Sequence, residues 1–307
     1  MSSKTRPLAV VAAAMDNDLR VAATAARTLG FSALQLDSRF GDLDLTHLSQ
    51  SGRRELRSVL RSSELDLSGL RLDLGAKGLG PGADIDAALD RIEKILAAAA
   101  GLQCSLVCIA LGPLPRPPLT EKPPPAISSR QAGAIIIDIP PLAIPAPRVT
   151  NLHDIPAQVD PTFAATVDGA LAELGRRADR HGVTLAFRSE LAGFDALDRA
   201  LRSAACPWFG IDLDPVAMLG DDWSPGEIFS NLGGMIRHVR GRDAVLGADR
   251  RTKPAAIGQG SVDWPRLFAD LDDAGYHGWI TVDPSDLPNR RAAAGAGHAS
   301  LRHISLG

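Results

Sequence analysis

Short apolar runs rich in β-branched residues alternate with amphipathic helical stretches along nearly the whole chain, and this rhythm limits the fold more than anything else in the sequence. The strand-like runs are LAVVAAA (8–14), FSALQLD (31–37), GLRLDLG (69–75), CSLVCIALG (104–112), VTLAFRSE (183–190), WFGIDLDP (208–215), MIRHVRGRD (235–243) and WITVDP (279–284). Helical patterns lie between them. The clearest is ADIDAALDRIEKILAAAAG, where Ile85, Leu89, Ile92, Ile95 and Leu96 recur at helical spacing. Gly30 stands where the first helix should stop before the second strand. Regular strand–helix alternation predicts a parallel sheet, and eight strands favour closing it.

One segment breaks the rhythm. Between residues 113 and 161 lie 13 of the chain's 22 prolines. Proline cannot donate to a strand ladder and is excluded from helix interiors, so this stretch reads as an irregular insertion after strand four. It suits a lid, an oligomer contact or a tolerated surface excursion. Without residues 113–157 the 307-residue chain keeps 262, close to the roughly 250 of an eightfold barrel. The expectation is α/β: a single (β/α)8 TIM barrel over residues 1–307 that contains the proline-rich insertion. An open dinucleotide-binding sheet would need a glycine fingerprint after its first strand. The only similar stretch, GLGPGA at 78–83, follows the third strand and contains Pro81, so it reads as a turn.

A formal charge of −3 gives no global basic field, which argues against nucleic acid as a partner. Cys104, Cys108 and Cys206 form neither an even set nor a CxxC pair. A reducing compartment, the cytoplasm, is expected. Lys4 and Arg6 before LAVVAAAM have the order of a secretory leader, but the same run serves as a first strand. No stretch reaches the ~20 apolar residues of a membrane span.

Side chains alternate along a strand, so in a barrel one set packs on the helices and the other fills the interior. With Val183, Leu185 and Phe187 facing the helices, Arg188 and Glu190 point inward. The same parity turns Asp212 and Asp214, His238 and Arg240, and Thr281 and Asp283 inward, with Gln35, Asp37, Arg71 and Asp73 joining them from early strands. Charges converging at the C-terminal ends of barrel strands mark the place where such folds carry chemistry. A structural ring of ion pairs is the alternative. Cys104 and Cys108 read as small core fillers.

HGVTLAF, GIDLDP, IRHVRGRD and IGQGSVDWPRLFADLDDAGYHGWITVD together resemble the xylose isomerase-like TIM barrels, the sugar phosphate isomerase/epimerase superfamily that also includes the endonuclease IV type. The likeness is best over about residues 165–285. It implies one divalent metal held by Glu, Asp, His and Glu at the ends of strands five to eight. Those positions fall on Arg188, Asp214, Arg240 and Asp283. Guanidinium offers no lone pair, so the sequence leads to the expectation of an altered site with no metal or other cofactor, in which Arg188 and Arg240 stand in for the ion.

The function expected is therefore an isomerase/epimerase relative acting on a small polyhydroxylated or anionic metabolite outside the usual metal route. A non-catalytic barrel that binds a ligand or a protein is the alternative. Asp283, Asp214 and His238 are the catalytic candidates, although two flanking arginines would make Asp283 a weak base. Arg188, Arg240, Glu190, Asp212, Arg71, Lys253 and Trp223 are the substrate-binding candidates. The loop GADRRTKPAAIGQG would bring Lys253 to the ligand face. A small molecule is the expected partner, with no nucleic acid and no membrane, and a homo-oligomer is compatible. A DNA-repair endonuclease would need a His and Glu cluster that seven scattered histidines do not supply.

Overall fold

The computed structural model describes residues 6–117, 161–189 and 192–306. Eight parallel strands form a closed barrel: β1 (Leu8–Val11), β2 (Ala33–Asp37), β3 (Asp66–Leu72), β4 (Leu106–Ile109), β5 (Thr184–Arg188), β6 (Phe209–Leu213), β7 (Ile236–Gly241) and β8 (Ile280–Val282). Neighbours in sequence are neighbours in space. The last strand returns to the first through Leu8↔Ile280, Ala9↔Thr281 and Val10↔Val282. Closure leaves no barrel strand with an unpaired edge, which satisfies the backbone groups that an open sheet would expose.

The surrounding helices are α1 (Leu19–Thr28), α2 (Gln50–Ser62), α3 (Ile85–Leu102), α4 (Pro161–His181), α5 (Phe194–Ala204), α6 (Pro215–Gly220), α7 (Pro225–Leu232), α8 (Trp264–Asp273) and α9 (Arg290–Leu306). Several of their starts are set by side chains that accept from the first free N–H groups. Asp18, Asp84 and Asp263 cap α1, α3 and α8, and Ser224 with Glu227 forms a reciprocal capping box on α7. Gly30 follows α1 at φ +89°, where a Cβ would come within 2.9 Å of His298. The expected helix stop therefore meets both a backbone and a packing requirement.

The core has two compartments. Between strands and helices, Leu34, Ile109, Phe187, Ile211, Val239 and Ile280 are fully buried, and the Phe187 and Phe209 rings meet at 4.8 Å. Burying each such side chain contributes about 1.5–3 kcal/mol. Inside the barrel a second, small cluster joins Leu106, Cys108 and Ala186.

Three local expectations differ. β1 ends at Val11, and Ala12–Ala14 form a 3-10 turn. β3 ends at Leu72, so Asp73 lies beyond the strand, where it is exposed and accepts from the N–H of Gly75. The charged loop after β7 begins with an antiparallel hairpin, Asp243–Leu246 with Thr252–Ala255. The proline-rich segment falls between β4 and α4, and its residues 118–160 lie outside those described. No helix among the described residues is long and apolar enough to cross a membrane.

Candidate functional site

The inward residues form two tiers near the C-terminal end of the barrel. In the lower tier, His238 of β7 places Nδ1 2.6 Å from Asp212 Oδ1 of β6 and Nε2 2.7 Å from Thr281 Oγ1 of β8. Gln35 Nε2 of β2 lies 3.3 Å from His238 Nε2 and donates to Cys108 Sγ of β4 at 3.4 Å. All five residues are buried. Polar groups so deep must satisfy one another, and nearly all of these do. The exception is Asp212 Oδ2, which is buried without a hydrogen-bond partner.

Burial alone would raise the Asp212 carboxyl, but the adjacent His238, helped by Arg240 and Arg188, outweighs it and holds the group below the ordinary carboxylate range. Burial pushes the Cys108 thiol well up, with Asp212 adding to the rise, although Arg188, Arg240 and Arg71 pull the other way. One donor atom each from Cys108, Asp212 and His238 lies within 4.8 Å of the others, a spacing that could hold a metal ion.

The upper tier is a lattice of ion pairs. Arg71 donates to Asp37 at 2.8 Å and to Asp283 at 2.7 Å. Arg240 donates to Asp283 at 2.6 Å and to Asp214 at 3.4 Å, while Arg242 donates to Asp214 at 2.6 Å and to Asp286 at 2.5 Å. Asp214 also caps α6 by accepting from the N–H of Val216. Desolvation would raise the Asp283 carboxyl, yet Arg240 and Arg71 hold it well below the usual range. Asp283 is therefore an ionised hydrogen-bond acceptor and a poor proton abstractor.

Beside the lattice, a small cleft opens between the ends of β7 and β8, the hairpin and the start of α9. Arg242, Asp243, Asp283, Asp286 and Leu287 are among its lining residues.

Most inward candidates come together, but not all candidates do. Arg188 ends β5 in register with Asp212. Lys253 is exposed on the hairpin, and Trp223 is half-buried against the apolar core. Glu190 lies outside the described residues.

The expectation of a degenerate metal site without a cation is overturned by the cluster of Cys108, Asp212 and His238. With it falls the expectation of an isomerase that works outside the metal-dependent route. The cause is positional. The ligand places implied by the resemblance are the strand ends, where Arg188 and Arg240 stand, whereas Asp212 and His238 sit one inward-facing residue lower. Cys108 supplies a third donor from a strand outside that ligand set. The parity rule applied to LVCI would have turned Cys108 inward, but a cysteine amid apolar residues reads first as core.

A family model described as xylose isomerase-like TIM barrel matches residues 23–304. Among solved structures, a xylose isomerase domain protein from Planctomyces limnophilus superposes with a TM-score of 0.72 at 15% identity, covering 98% of each chain. D-psicose 3-epimerase with D-tagatose, from Clostridium cellulolyticum H10, gives 0.67 at 15% identity over 97% of this chain and 99% of its own. The 3-keto-D-glucoside 4-epimerase of E. coli gives 0.65 at 16% identity over 97% and 99%. At these identities the likeness shows the fold alone. No curated protein matches the chain in sequence.

Proposed function

Since the chain belongs to the xylose isomerase-like TIM-barrel family, we propose that it is a metal-dependent isomerase or epimerase of a small polyhydroxylated metabolite. One observation carries this reading: three donor residues on three barrel strands, with the buried Asp212 Oδ2 left unpartnered among them. Cys108, Asp212 and His238 would hold the cation. When bound, a divalent ion polarises a carbonyl or hydroxyl oxygen and so favours movement of a proton on the adjacent carbon.

The chain's own contribution lies in the upper tier. Asp37, Asp214, Asp283 and Asp286 accept from sugar hydroxyls, and Arg71, Arg188, Arg240 and Arg242 donate to substrate oxygens. In this reading Asp214 and Asp283 position substrate, and His238 serves as a ligand. The small cleft along Asp283 and Asp286 flanks these groups. Similar structures bear the names of D-allulose 3-epimerase and L-ribulose 3-epimerase, which supports a sugar-like substrate class. The cysteines are unpaired, which accords with a reducing, cytoplasmic setting.

The test joins elemental analysis to turnover. Purified protein should contain stoichiometric divalent metal. Interconversion of ketoses at a carbon next to the carbonyl should stop on chelation and return when metal is restored. Asp212→Asn should lose both metal and turnover. Turnover that continues in metal-free protein would refute the proposal.

A further inference from the structure

The donor set carries more information than the presence of a site. A sulfur, an imidazole nitrogen and a carboxylate oxygen converge from β4, β7 and β6, on residues with essentially no exposure to solvent. On the Cys108 side the cluster is walled by Leu106 and Ala186. Magnesium demands near-octahedral oxygen coordination and keeps several waters, which this dry, mixed-donor site cannot supply. Manganese likewise favours oxygen ligands. Zinc and its spectroscopic surrogate cobalt accept thiolate, imidazole and carboxylate together, with three protein ligands and one open position.

The surroundings favour the same class of ion. Gln35 donates an N–H to Cys108 Sγ at 3.4 Å, an interaction that stabilises negative charge on sulfur. Thr281 Oγ1 lies 2.7 Å from His238 Nε2 and helps fix the ring in the cluster. With Cys108 as thiolate and Asp212 ionised, the protein donors bring two negative charges to a divalent ion. The thiol proton leaves to solvent as the metal–sulfur bond forms.

We propose that Cys108, Asp212 and His238 form a thiolate-containing centre selective for borderline transition ions of the zinc class over magnesium and manganese. This rests on the metal-dependent reading above and specifies which ion the site selects. The experiment titrates metal-free full-length protein with Co2+, Zn2+, Mn2+ and Mg2+, recording stoichiometry by elemental analysis and the Co2+ spectrum in the near ultraviolet.

One Co2+ or Zn2+ per chain, bound more tightly than Mn2+ or Mg2+ and with a sulfur-to-cobalt charge-transfer band, is the expected result. Cys108→Ser should remove the band and weaken Zn2+ binding by more than the loss of an outer partner, about 10–100-fold, would. Gln35→Leu should weaken Zn2+ binding while keeping the band, so the proposal does not depend on one variant folding. Binding of Mn2+ or Mg2+ as tight as Zn2+, or a cobalt spectrum without sulfur character, would overturn the zinc-class centre and leave the metal-dependent reading standing. Failure of every ion to bind would remove both.

Discussion

Asp283 shows how far single side chains are fixed by their neighbours. Its Oδ2 receives Arg240 at 2.6 Å and Arg71 at 2.7 Å, and its Oδ1 receives the hydroxyl of Ser285. Because these partners lower its pKa in the folded state, the unfolded chain binds more protons below the ordinary carboxylate pKa of about 3.9. The stabilisation is therefore complete above that pH and is lost as pH falls through and below it. Asp283→Ala should cost roughly 3–5 kcal/mol in denaturant unfolding at neutral pH, because the buried Arg240 and the partly buried Arg71 lose a partner. Its stability should also change less than the wild type's between neutral and acid pH.

Strand parity made much of this site legible. It turned Gln35, Asp37, Arg71, Asp212, His238, Arg240 and Thr281 inward, and all seven take part in the two tiers. Arg242 and Asp286 escaped because they lie past the strand ends, where alternation no longer fixes direction. Cys108 lay within reach of the rule, yet its chemistry was hidden in an apolar run.

At the scale of elements, the connection from β7 to α8 depends on Asp243. Its carboxylate accepts from the N–H groups of Ala244, Gly258, Gly260 and Val262 and from Trp264 Nε1. A Cβ on Gly260 would fall 2.0 Å from Asp243 Oδ1, so only glycine lets this backbone approach so closely. The sequence shows the small residues of IGQGSVDW but not the acid that gathers them. At the hairpin tip, Arg250 donates to the carbonyls of Gly220 and Asp221 at 3.1 Å, satisfying the end of α6 from another element. Arg250 thereby ties this charged run to α6. Asp243→Ala would leave the buried donors of Ala244 and Trp264 and three part-buried ones without their acceptor, and should cost roughly 2–4 kcal/mol. Amide exchange should rise across residues 258–264, whereas a loop without such a hub would show little change.

On the scale of the molecule, the alternation of runs foretold eight strands, and eight parallel strands close the sheet. The order of elements was legible because each period announces its own structure. Closure itself was an inference, since no local pattern states that β1 meets β8. The pairing binds the beginning of the chain to its end, and Arg6 adds bonds to the carbonyls of Phe268 and Tyr276 at 3.0 Å. A chain cut before Ile280 should therefore lose its single cooperative thermal transition, as read by circular dichroism, and not merely melt at a lower temperature.

The depth of the lower tier has a kinetic consequence. Cys108, Asp212 and His238 lie beneath the paired arginines and aspartates, so an ion, and the substrate oxygen that would meet it, reach the cluster only when those pairs part. A scavenger would then draw the ion out no faster than those pairs open, so release should follow the breathing of the barrel mouth.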